Sequence, residues 1–156
     1  MTNVMLDYYQ LKYLPALTVY ELPEEQAKYT ALPANMLYSS ETKSPIVILA
    51  NEEVVGFFVL HTGEIVKNYT DISTAILLTS FSIDFRKQRM GFAHHGLLAL
   101  NDFVKKHHSE ITDVVLSVNL KNMPARRLYE QVGFLDTGKR MEGVMGEQLV
   151  LRKRIV

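Results

Sequence analysis

A strand-like run that ends in a glycine turn and re-emerges as a long helix constrains this chain more than any other stretch. Residues 74–85 read as a strand and alternate at their end. Thr79, Phe81, Ile83 and Phe85 are expected on one face, and Ser80, Ser82 and Asp84 on the other. Gln88, Arg89, Met90, Gly91, Phe92 and Ala93 form the turn. Ala93, Leu97, Leu100 and Val104 then recur at helical spacing, and the pattern runs to about His108. A helix start leaves several backbone N–H groups unpaired beside the positive end of the helix dipole, which suits a phosphate or pyrophosphate. Arg86, Lys87 and Arg89 add positive charge to the same turn. Alone, a turn with one glycine is better read as a strand-to-helix connection using glycine's backbone freedom. No Gly-x-x-x-x-Gly-Lys-Ser/Thr segment is present, and one glycine stands where the dinucleotide fingerprint needs three. Kinase, NTPase and dehydrogenase readings are therefore poor.

The rest of the chain frames that unit. Its 156 residues predict one domain, 1–156, and 47% hydrophobic content is enough for a core. The absence of cysteine excludes disulfides and thiolate metal sites. Seventeen basic and seventeen acidic residues cancel, which argues against a general nucleic-acid binder. No signal-like segment opens the sequence, and no apolar run approaches the roughly 20 residues needed to span a bilayer. A cytoplasmic protein without a membrane partner is expected.

A short strand is expected in the first part of 6–14, and a helix start near Pro23, with acids in its first turn. Pro33 should break that element. Residues 46–50 and 54–60 read as strands joined by a hairpin loop. Residues 114–119 form a further strand, Pro124 opens a second long helix, and Gly133 ends it. Residues 134–139 and 148–155 read as a final antiparallel pair. The expected order, β-α-β-β-β-α-β-α-β-β, is an α/β fold with a mixed sheet and helices on its faces.

The second half gives the glycine turn its meaning. Asn122, Ala125, Tyr129, Gly133 and Phe134 form an N-x-x-A-x-x-x-Y-x-x-x-G-F segment downstream of Gln88-x-x-Gly91-x-Ala93. Both motifs, separated by a helix and a strand, resemble those of the GNAT family, the Gcn5-related N-acetyltransferases. The resemblance is good over 46–156 and weak before that. It implies a central, mostly antiparallel mixed sheet in which two parallel strands, 79–85 and 114–119, splay apart around acetyl-CoA. The pantetheine amides would satisfy the backbone groups that splaying leaves unpaired. The resemblance assigns these contacts to Phe81, Ser82 and Ile83. It assigns the pyrophosphate to the turn that includes Gln88, Arg89, Met90, Gly91, Phe92, Ala93 and His94, and a cofactor-side contact to Asn122. Ala93 replaces the commoner last glycine and is still small. Tyr129 matches the family's general acid for the departing thiolate; without the motif it would read as a core aromatic beside Leu128.

The proton acceptor is where this sequence departs from familiar members. Leu77 and Ser117 stand where histone-type and ribosomal-protein acetyltransferases carry glutamates. A protonated amine cannot attack. The candidates are a water chain, Asp84, Glu64, His61, Glu24 or Glu25. The favoured reading is water relayed through Ser80, Ser82 or Ser117, with Asp84 ending its strand at the surface. His94–His95 and His107–His108 are adjacent pairs thirteen residues apart, about 20 Å along a helix, so no metal site is expected and the histidines read as solvated. The acceptor is expected between 23–40 and the hairpin near 141–147, with Glu24, Glu25, Glu142 and Glu147 as cation partners. A small amine or polyamine is favoured, a protein N-terminus or lysine is the alternative, and a homodimer is allowed. An acyl-CoA-binding module without turnover is the reading from another class, and an amine-independent nucleotide-phosphate binder is a third.

Overall fold

The structure is a computed structural model, and it describes residues 3–156. These residues form a seven-stranded mixed sheet in the order β1-β2-β3-β4-β5-β7-β6. The strands are β1 (Val4–Tyr8), β2 (Lys43–Ala50), β3 (Glu53–His61), β4 (Ala75–Ile83), β5 (Asp113–Asn119), β6 (Leu135–Gly143) and β7 (Gly146–Arg154). All neighbouring pairs are antiparallel except β4 and β5. The long helices are α3 (Phe92–His107) and α4 (Met123–Gln131). The sheet is the mixed, mostly antiparallel one that the sequence implies.

Period-two alternation divides the sheet's apolar residues between two layers. Ile46, Ile48 and Phe58 join Leu97, Leu100 and Val104 of α3 and Tyr129 of α4 in the main core. Val47, Phe57 and Val59 face the other way and pack with Tyr13, Leu17 and Tyr20. Each fully buried Leu, Ile or Phe contributes roughly 1.5–3 kcal/mol. The second layer corrects the expected N-terminal half. The helix start expected near Pro23 is present as a single turn, α2 (Glu24–Ala27), with Pro23 at its N-cap, and a further short helix, α1 (Leu14–Thr18), precedes it. Pro15 lies in the first turn of α1, where its missing N–H costs nothing. The aromatic run around it hid that helix from periodicity.

The two features that position the site lie in β4. It pairs with β5 over Ala75–Asp113, Ile76–Val114 and Leu77–Val115, and no pairing continues beyond them. Ser80 has φ 57°, and the β3–β4 register shifts between Phe57–Ser82 and Val59–Thr79. This β-bulge breaks the expected alternation, because an extra residue flips the side chains that follow. Thr79 does not share a face with Phe81 and Ile83. It bonds to His61, on the layer opposite α3, whereas Phe81 and Ile83 pack into the main core.

Candidate active site

Where β4 and β5 part, a cavity of about 1030 Å³ opens through the sheet. Its walls include Leu78 to Ile83 on one strand and Leu116 to Asn119 on the other. Unpaired strand edges carry N–H and C=O groups that need partners when shielded from water. The gap therefore presents unpaired strand edges of the kind an extended, amide-bearing ligand can satisfy.

The glycine turn forms one end of this cavity. Arg89 has φ 65° and Gly91 φ 83°, both left-handed, which folds the chain back before α3 begins. The first intrahelical bond runs from the His95 N–H to the Gly91 carbonyl at 3.0 Å, so Phe92, Ala93 and His94 precede it with free N–H groups. Gly91 stands at the N-cap and has no side chain with which to cap it. Gln88, Arg89, Gly91, Phe92, Ala93 and His94 line the cavity, whereas Met90 is 62% exposed and does not. The Gln88 side chain serves the scaffold. It donates to the Ile83 carbonyl at 2.9 Å and to Gln26 Oε1 at 2.8 Å, and Gln26 donates back at 3.1 Å. This amide pair fastens α2 to the turn. Gln26 carried no signal in the sequence, since only the fold brings it to Gln88.

Asn122 and Tyr129 come from α4. Asn122 Oδ1 accepts from the Ala125 N–H at 3.4 Å, the capping role weighed in the sequence, and the residue also lines the cavity. At the other end of α4, Gly133 has φ 102° and donates to Glu130, while Phe134 donates to Tyr129. These two bonds form a Schellman motif, which explains the glycine and fixes the turn that carries Tyr129. The Tyr129 ring meets Phe81 and Phe134 edge-on, with centroids at 6.2 and 5.7 Å. It is both a core aromatic and a wall of the cavity. Burial alone pushes its phenol above the ordinary value, so the hydroxyl stays protonated at neutral pH and is available as a donor.

The other expected residues sort by their partners. The Ser82 hydroxyl bonds to Tyr20 Oη at 2.9 Å inside the second layer, while Ser80 and Ser117 are half-buried on the cavity wall. Asp84 is not at the surface. It is 3% exposed, and its carboxylate accepts from the Arg86 backbone and guanidinium at 2.8–3.2 Å. Burial works against its charge, but the Arg86 hydrogen bonds outweigh that and hold its carboxyl below the usual range. Such a paired carboxylate is a poor base, and it lies outside the cavity wall. Glu25 lines the cavity, but Glu24, Glu142 and Glu147 do not. Glu64 is exposed and pairs with Lys67. Exposed His95 and His107 keep the solvated reading, whereas His61 and His108 depart from it. His61 is half-buried and bonded to Thr79, while exposed His107 rests on Phe103 with centroids at 4.5 Å. His108 bonds to Tyr8 Oη at 3.3 Å.

Residues from both segments named for the acceptor line one cavity. Glu25, Tyr29, Thr30 and Ala31 from the α2 side and Val144, Met145 and Gln148 from the β6–β7 hairpin line the same cavity.

Comparison with known proteins identifies the family and the fold. The Acetyltransferase (GNAT) family model matches residues 6–134. The uncharacterized N-acetyltransferase YbbJ of Bacillus subtilis (strain 168) is 34% identical over 153 residues, covering 96% of each chain. The chain belongs to the GNAT family of acetyltransferases. Among solved structures, the aminoglycoside acetyltransferase AAC(6')-Ib in complex with coenzyme A and kanamycin has a TM-score of 0.78 at 16% identity, covering 97% of this chain and 95% of that one. The spermidine N-acetyltransferase of Vibrio cholerae, in complex with CoA and spermine, has a TM-score of 0.70 at 16% identity with the same coverage. At this identity both likenesses concern the fold.

Proposed function

We propose that the whole chain is one acetyltransferase domain that moves acetyl from acetyl-CoA to a primary amine by direct attack. The observation that carries this is the continuous cavity between splayed β4 and β5, with a helix start at one end and Tyr129 on its wall. In this reading the pantetheine arm bridges the edges at 81–83. The N–H groups of Phe92, Ala93 and His94 hold the pyrophosphate. Tyr129 gives a proton to the departing CoA sulfur. Val144, Met145 and Tyr29 enclose the acceptor, and Glu25 is the acidic residue of the wall. One carboxylate pairs with one ammonium group, which favours a small amine over a long polycation.

Release of CoA thiol over a panel of small monoamines, spermine, kanamycin and lysine peptides tests the proposal. The chain has no cysteine, so a thiol reagent reads the product alone. Amine-dependent thiol release is expected. Tight acetyl-CoA binding without amine-dependent release would instead indicate a binding module.

A further inference from the structure

The transfer needs an exit for the amine proton, and the structure offers one on the β3 side of the gap. His61 ends β3, and its register partner on β4 is Leu77, the position that lacks a glutamate. Leu77 is fully buried with Val115 and Val66 and holds no proton. Two residues along the same face stands Thr79, diagonal to His61 across the ladder. His61 Nε2 lies 2.7 Å from Thr79 Oγ1, a good hydrogen-bond distance. Thr79 is half-buried and lines the cavity. The bulge at Ser80 creates this arrangement, because it turns Thr79 away from the layer that holds Phe81 and Tyr129. The gap thus has a tyrosine hydroxyl toward one layer and a threonine hydroxyl backed by an imidazole toward the other.

We infer that the amine proton leaves through the Thr79 hydroxyl to His61, which acts through Thr79 as a positioning and relay residue. This rests on the acetyl-transfer reading above. As the amine nitrogen bonds to the thioester carbon, its N–H proton passes to Thr79 Oγ1 while the Oγ1 proton passes to His61 Nε2. Collapse of the tetrahedral species breaks the C–S bond, and the sulfur takes the Tyr129 proton. His61 then releases its proton to solvent and the Tyr129 phenolate regains one. The sum is amine and thioester giving amide and thiol. The relay requires a neutral imidazole with Nε2 free. Burial lowers the His61 pKa, and Lys43, its register partner on β2, lowers it further. On β4 its register partner Leu77 and its hydrogen-bond partner Thr79 are both neutral. The half-exposed ring can return its proton to water.

Two readouts test this. Nitrogen-15 NMR of the ring in the free protein at pH 7.5 should show His61 with Nε2 unprotonated. A proton resident on Nε2 and donated to Thr79 overturns the relay. With the best amine of the panel at saturation, His61→Gln and Thr79→Val should each lower kcat about 100-fold. Both should erase the acid limb of the kcat profile and leave the acetyl-CoA Kd unchanged. Thr79→Ser keeps the hydroxyl and should stay within about threefold of wild type. The double variant should be no slower than either single one, because both remove one path. An intact acid limb in His61→Gln, or equal rates for Thr79→Val and Thr79→Ser, refutes the relay alone. Wild-type protein that turns over no amine refutes the acetyl-transfer reading before any variant is made.

Discussion

Replacing Tyr129 by Phe removes one hydroxyl and leaves the ring, which separates a proton donor from a core aromatic. The ring packs edge-on against Phe81 and Phe134, and such pairs contribute about 0.5–1.5 kcal/mol each beyond their buried area. Those contacts survive in Tyr129→Phe. Burial is what raises the phenol's pKa, and among the described residues no hydrogen-bond partner is lost with the oxygen. Stability should therefore stay within about 0.5 kcal/mol of wild type. For a chain of this length that is a melting shift of roughly 1–2 °C. The kinetic effect should be much larger. A positioned general acid contributes about 100-fold or more, or about 2.7 kcal/mol in the barrier. The assay pairs thiol-release kinetics with acetyl-CoA calorimetry and a melting curve. A fall in kcat of about 100-fold, with Kd and melting temperature held, is the expected pattern. Tyr129→Ala is the control, since losing the ring should cost about 3–5 kcal/mol of stability. If Tyr129→Phe keeps full turnover, or loses stability and turnover together, the tyrosine is structural.

Three other changes test separate parts of the molecule. Gly91→Glu places a carboxylate in the turn, at a φ of 83° that side chains rarely adopt, and should lower acetyl-CoA affinity at least about 100-fold by calorimetry. Gly56→Ala should destabilise by about 1–3 kcal/mol in urea unfolding, because its Cβ would stand 2.6 Å from Ile83 Cδ1 and 2.9 Å from the Ser82 carbonyl oxygen. The His61 pKa is lower in the folded state, so below about pH 6.5 the unfolded chain binds more protons. Stability should therefore fall as pH drops from about 6.5 toward the folded pKa, and His61→Gln should flatten that slope.

The glycine turn and α4 were legible because their signals are local. Gly91 needs a left-handed φ, Asn122 caps the helix behind Pro124, and Gly133 closes it, each within a few residues of its partner. The bulge at Ser80 was not legible. Period-two reading assumes an unbroken ladder, and only pairing with β3 reveals the extra residue. Asp84 misled for a related reason. A carboxylate at a strand end is usually solvated, but here Arg86, two residues later, folds back and allows its burial. Gln26–Gln88 and Tyr20–Ser82 join residues far apart in sequence, where no local rule operates. The glycine-turn wall of the cavity could thus be read from motifs, whereas the walls built by the α2 segment and the β4 bulge depend on tertiary pairs.

Backbone amide exchange with and without acetyl-CoA tests the central claim most directly, because it reports where the ligand sits. The account predicts new protection at residues 81–83 of β4, at 116–119 of β5 and at Phe92, Ala93 and His94, all cavity-lining positions. Protection confined to other surfaces, with these amides exchanging as before, contradicts the assignment of the gap between β4 and β5 as the acetyl-CoA site.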